Sequence, residues 1–234
     1  MKRLNWLLTF VSFIVLIVTV ERFSFTTRLV LPPSSFLRLH EVLQMALIIL
    51  TTVVLSWWLL QALSDDFALL TSPRGRRLAV VFLIGVYFYA TGNGAHEIAS
   101  YVFTAFCEPT QLTGPVCGSA FMNDYYFGNI LFFLGAFLMR LALMLFERMH
   151  PDPTFTRRDW VVLAGNGLVY ALAIFAYAAF DRVVVGLVYA AMVTGVIVVL
   201  LVTAPTPVRA LPFTLYSVIA YGLGTTASLL VRWP

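Results

Sequence analysis

The feature that most constrains this chain is a succession of seven apolar stretches, each long enough to cross a lipid bilayer. They run over roughly 5–22, 36–63, 78–106, 122–146, 160–180, 183–203 and 211–231. A helix crossing a hydrocarbon core about 30 Å thick needs about 20 residues at ~1.5 Å each. Lipid offers no partner to a backbone N–H or C=O, so such stretches satisfy their own polar groups as helices. Only 11% of the residues are charged and 61% are hydrophobic. A soluble domain carries about 25% charge, so this chain cannot clothe a water-facing surface. The expected fold is all-α: a polytopic integral membrane protein, a seven-transmembrane-helix bundle forming a single domain over 1–234.

Lys2 and Arg3 precede the first apolar run, Trp6 to Val20, as they would in a secretion signal. No small-residue cleavage pattern follows, because the chain continues Thr19-Val20-Glu21-Arg22, and the segment is read as a retained helix. Basic residues set the orientation. Lys2, Arg3, Arg74, Arg76, Arg77, Arg148, Arg157, Arg158 and Arg209 fall on one side of the alternating segments. Arg22, Arg28, Arg38, Arg182 and Arg232 fall on the other. The richer side is cytoplasmic, which puts the N-terminus in the cytoplasm and the C-terminus outside, in a multi-pass protein of a bacterial inner (cytoplasmic) membrane. The two cysteines, Cys107 and Cys117, share one extracytoplasmic loop, where a disulfide persists.

Helix breakers stand between the segments. Pro32-Pro33-Ser34-Ser35 is expected to end one stretch and supply an N-cap for the second helix. Ser72-Pro73-Arg74-Gly75 and Pro151-Asp152-Pro153 are expected to be loops, and Asp159 to cap the fifth helix. Phe180-Asp181-Arg182 leaves room only for a tight turn, so the fifth and sixth helices are antiparallel neighbours. No internal repeat of the inverted-transporter kind is present.

Ionisable groups inside or bordering spans are costly and invite a functional reading. They collect on the second, third and fourth segments. Asn93, His96, Glu97 and Ser100 follow the i, i+3, i+4, i+7 spacing of one helical face. Gly92 and Gly94 beside them admit a neighbouring helix or a ligand to the backbone. His40, Glu41 and Gln44 open the second segment; Asp124 and Asn129 open the fourth. All lie at one depth, beneath the extracytoplasmic face. Consecutive helices are usually neighbours, so a shared pocket is expected. In it His96, Glu97 and Asp124 are the candidate catalytic groups. His40, Glu41 and His96 are candidate ligands of a divalent metal such as zinc or iron, since imidazole and carboxylate suit these ions. Asn93, Gln44, Ser100 and Asn129 would line the pocket. The alternative reading is a polar zipper between helices. Arg140 in the inner half of the fourth segment is long enough to reach the cytoplasmic interface. Asn166, between two glycines, reads as a helix-packing contact.

Three functions stay open. The first is a membrane-embedded enzyme, with or without a metal, acting on a lipid or other apolar substrate at the outer leaflet. The second is a non-catalytic subunit or binding protein for lipid, pigment, quinone or haem within a larger complex of membrane proteins. The third is a transporter, for which the polar path fades too early. No lysine follows Lys2, so no Schiff base can form in the last segment, and no Gly-x-Ser-x-Gly or H-E-x-x-H pattern is present. The basic residues sit in short loops, which gives no nucleic-acid-binding face; the partner implied is the lipid bilayer.

Overall fold

The computed structural model describes residues 2–33, 35–110, 112–152 and 154–233. Ser34 and Pro153, two of the expected breakers, lie outside the described residues. Seven helices carry the chain: α1 Arg3–Glu21, α2 Leu39–Leu63, α3 Pro73–Phe106, α4 Cys117–Met149, α5 Arg157–Phe180, α6 Val185–Val202 and α7 Pro212–Arg232. Each is long and apolar enough to span a membrane, as in a multi-pass membrane protein. Among the described residues the only strand-like pairing is one bridge, Val30 to Arg38. Large apolar side chains such as Phe13, Leu50, Leu83, Val161, Val188 and Leu230 are exposed along the helices, as a lipid-facing surface requires.

Local chemistry sets the helix starts, and corrects three expectations. The Ser72 hydroxyl accepts the Gly75 N–H at 3.0 Å and Pro73 occupies the first helical turn, so α3 begins at Pro73 and absorbs Arg74 to Arg77. Thr156, not Asp159, is the N-cap of α5; Asp159 returns the bond from the third position by accepting the Thr156 N–H at 3.1 Å. At α2 the cap position falls to Arg38 rather than a serine, because Glu41 folds back to accept the Arg38 N–H at 2.9 Å.

α3 and α4 make the most extensive contact in the bundle, and α5 and α7 the next. Lipid supplies no hydrophobic drive between helices, so close van der Waals packing by small residues takes its place. A Cβ on Gly92 would stand 2.2 Å from the Phe132 nitrogen, and one on Gly128 would stand 2.7 Å from the His96 nitrogen. The two backbones therefore touch along this seam. Phe82, Leu60, Met144, Phe146, Leu163, Ile174, Tyr216 and Tyr221 fill the core. Asn166 is the packing contact the sequence suggests: its amide donates to Thr9 Oγ1 of α1 at 2.8 Å.

At the end that carries the N-terminus, Lys2 pairs with Asp152 at 3.2 Å and Arg3 with Asp66 at 2.9 Å. Burial raises the Asp152 carboxyl, but hydrogen bonds from Thr154 and Lys2 outweigh it and hold the group below the usual carboxylate range. Glu147, almost fully buried, accepts the N–H groups of Phe213 and Thr214 at 2.5 and 2.8 Å and so caps α7. At the opposite end Cys107 and Cys117 form a disulfide that ties the end of α3 to the start of α4.

Candidate acid–base site

The polar face of α3 meets α4 where the Gly128 seam brings the backbones together. His96 Nδ1 lies 2.8 Å from Asp124 Oδ1 and 2.9 Å from the Asp124 carbonyl oxygen. Both are acceptors, so Nδ1 carries a proton, and in the neutral form of the ring the lone pair falls on Nε2. Nε2 has no hydrogen-bond partner among the described residues, and the side chain remains 18% exposed. The Asp124 carbonyl that meets His96 lies in a π-helical turn, residues Asn123–Gly128. Such a turn shifts the hydrogen-bond ladder and recurs at functional sites. Asn129 steadies it, donating to the carbonyls of Asp124 at 3.0 Å and Tyr125 at 3.3 Å.

A second imidazole is held in the same way. His40 Nδ1 lies 2.5 Å from Glu21 Oε2 at the end of α1, and its Nε2 lies 3.6 Å from Glu97 Oε2 on α3. Gln44 donates to the same Glu21 oxygen at 3.0 Å, and the Thr26 hydroxyl donates to the other. Gln44 stands in a second π-helical turn, Leu43–Ile48. Sequence reasoning missed Glu21. Its signal was present: a carboxylate at the membrane edge, one loop before His40, with the same cost that drew attention to Glu97.

Glu41 does not join this cluster. Both its oxygens are occupied by Arg38, through the backbone N–H and the guanidinium, and the side chain is fully buried in that contact. Among the described residues no three His, Cys, Asp or Glu side chains are grouped to hold a metal ion. His40, Glu41 and His96 are therefore not assembled as the expected ligand set: each imidazole is claimed by its own carboxylate, and Glu41 by Arg38. Asn93 donates to Glu97 Oε1 at 3.4 Å, Gln44 and Asn129 bond as described, and half-buried Ser100 makes no side-chain bond to the described residues one turn outward from His96.

The chain matches no protein-family model, no curated protein and no solved structure.

The geometry must therefore speak for the site. Two buried acceptors in it, Glu97 Oε2 and Asn93 Oδ1, have no hydrogen-bond donor among the described residues. An unpartnered buried acceptor is costly, and here two of them lie one helical turn apart beside His40. The segment between α1 and α2 folds over this end. Leu31 donates to the Leu37 carbonyl at 2.9 Å, the Tyr101 hydroxyl of α3 donates to the Ser35 carbonyl, and the Arg38 guanidinium lies 5.9 Å from the Tyr101 ring centre. Arg182, in the turn between α5 and α6, stacks over Phe121 and Tyr125 of α4 at 5.3 and 5.5 Å. Beside it, burial pushes the Asp181 carboxyl above its ordinary value. The arrangement gives a walled, partly open site with two oriented imidazoles and unsatisfied acceptors.

A cavity of about 460 Å³ opens at the other end of the bundle, lined by Lys2, Asp65, Asp66, Glu147 and Asp152 among others. Its principal charges are spent on one another and on the α7 cap. Arg140 does not snorkel toward that end. It donates to Ser217 Oγ at 2.8 Å and to the Tyr170 hydroxyl at 3.2 Å, within the bundle.

Proposed function

We propose that this protein is a membrane-embedded enzyme that performs general acid–base chemistry on a lipid or another apolar substrate presented at the outer leaflet. The observation that carries the reading is the double anchoring of His96 Nδ1 on Asp124 with Nε2 left open. A carboxylate behind an imidazole fixes its tautomer and stabilises the imidazolium that forms when Nε2 takes a proton. His96 is the base, Asp124 orients it, and the His40–Glu97 pair, backed by Glu21, returns a proton to the leaving group. Asn93 Oδ1 receives a hydroxyl or ammonium donor of the substrate head. The attacking group is water or the Ser100 hydroxyl. The charge asymmetry of the loops supports a cytoplasmic N-terminus, and with it a site that opens to the outer leaflet.

A positioned base contributes about 10²–10⁴-fold to rate. The test is lipid turnover by purified protein in liposomes of bacterial lipid extract, followed by mass spectrometry. The wild type forms product and His96→Gln does not. Product formation independent of His96 overturns the assignment, and its absence from every lipid tested favours a non-catalytic binding role. Labelling of Ser100 by a fluorophosphonate makes it the nucleophile; lack of labelling in an active protein assigns water. The reading places the base on the protein, so chelators leave the rate unchanged. A rate lost on chelation and restored by zinc or iron would move the chemistry to a metal-bound water.

A further inference from the structure

Arg140 poses a problem that the acid–base site does not solve. It lies nine residues before Met149, roughly 13 Å along α4 from that end of the helix. A charge at such depth is costly and is normally compensated. Among the described residues no carboxylate pairs with it. A guanidinium carries five N–H donors; this one places two, on Ser217 and Tyr170. The rest of its surroundings is aromatic, with the rings of Tyr221, Tyr170 and Phe213 centred 4.6, 5.2 and 5.7 Å away. These π faces steady a cation but accept no in-plane N–H. The side chain is half-buried in the bundle.

A second observation points the same way. Tyr221 shares a hydrogen bond of 2.7 Å with the Tyr189 hydroxyl, and the Tyr177 ring lies 6.5 Å from that of Tyr189. The Tyr177 hydroxyl is buried without a hydrogen-bond partner among the described residues. The cluster thus holds one positive charge with idle donors and, beyond Tyr189, one hydroxyl unpartnered among the described residues. That combination fits an oxyanion: guanidinium recognises carboxylate and phosphate through paired N–H groups.

We propose that Arg140, with Ser217 and Tyr170, forms a second site that binds the anionic head of a lipid-soluble acid inside the membrane. The site is built from α4, α5 and α7 and is separate from the His96 cluster, so it stands whether or not that cluster is catalytic. Its ligand lies within the apolar bundle with its acyl chain among the helices and its carboxylate or phosphate on Arg140.

Phenylglyoxal, which modifies accessible guanidinium groups, reads the site without a variant. Purified protein in a nonionic detergent is treated alone and with oleate, methyl oleate or phosphatidate, and adduct at Arg140 is followed by peptide mass spectrometry. We expect oleate or phosphatidate to slow adduct formation at least tenfold and methyl oleate less than twofold. Protection by oleate alone identifies a fatty-acid carboxylate; protection by phosphatidate alone identifies a phospholipid phosphate. Equal protection by methyl oleate, no protection by either acid, or an Arg140 inert without added lipid overturns the proposal. Arg140→Gln, measured by oleate retained per chain after gel filtration, is expected to lose at least tenfold in binding.

Discussion

His96 Nδ1 stands within 3 Å of two oxygens of one residue, the carboxylate of Asp124 at 2.8 Å and its backbone carbonyl at 2.9 Å. A side chain anchored only to a carboxylate could rotate about one bond. A ring held by side chain and backbone together is fixed in both tautomer and direction. That carbonyl lies in the π-helical turn of α4, where it also accepts the Asn129 amide at 3.0 Å.

Replacing the ring separates chemistry from fold. His96→Gln is expected to abolish turnover while leaving the elution profile and melting behaviour of the protein within a few degrees of wild type. Asp124→Asn keeps an acceptor for Nδ1 but loses the charge that stabilises the imidazolium, and should reduce the rate by about 10²–10⁴-fold. A variant pair that unfolds in step with its loss of activity would instead favour a polar zipper.

The seam can be tested without touching a polar group. A methyl group at residue 128 would meet the His96 backbone at 2.7–2.9 Å, and neither backbone can yield alone. Gly128→Ala should cost about 1–3 kcal/mol by overpacking, measured by unfolding in mixed micelles with sodium dodecyl sulfate, and should lower turnover as well by displacing α3 from Asp124. Gly94→Ala is the control, because a Cβ there meets nothing within 4 Å.

Glu147 is a structural carboxylate. Glu147→Ala removes the acceptor of two buried N–H groups and of the Thr214 hydroxyl. Leaving such donors unsatisfied costs about 1–3 kcal/mol. The variant should unfold earlier and admit protease at the start of α7, while the protein that remains folded turns over normally.

Acid sensitivity at the N-terminal end follows from Asp152, whose folded value is lowered by Thr154 and Lys2 against the effect of burial. Its contribution to stability is complete above the unfolded value of about 3.9 and is lost as pH falls through the lower folded value. Asp152→Asn should therefore be slightly less stable than wild type at pH 7, and the gap should close below about pH 4. The effect is small because the pair is solvent-screened. Melting curves across pH 3–7 measure it.

Hydropathy made the seven helices legible, since lipid leaves a chain few alternatives. Asn93, His96 and Glu97 could be placed on one face because helical spacing is rigid. Glu41 looked like a ligand because a carboxylate beside a histidine resembles one, but spacing cannot tell that Arg38, three residues back, binds it first. Glu21 escaped because a helix end and a loop end meet there only in three dimensions. The two π-helical turns left no sequence mark, as an inserted residue changes register without changing hydropathy. Arg140 was read from its length and depth alone; its real partners lie on α5 and α7, 30 and 77 residues away.

The central claim is that His96 presents an unprotonated, unencumbered Nε2 because Asp124 holds the proton on Nδ1. Nitrogen-15 solid-state NMR of histidine-labelled protein in liposomes measures this directly, with the three histidines assigned through His40→Gln and His150→Gln. For the neutral ring, the account predicts a His96 signal with the proton on Nδ1 and a bare Nε2, converting to the Nε2-protonated tautomer in Asp124→Leu. A wild-type His96 carrying its proton on Nε2, or one whose tautomer ignores residue 124, would contradict it.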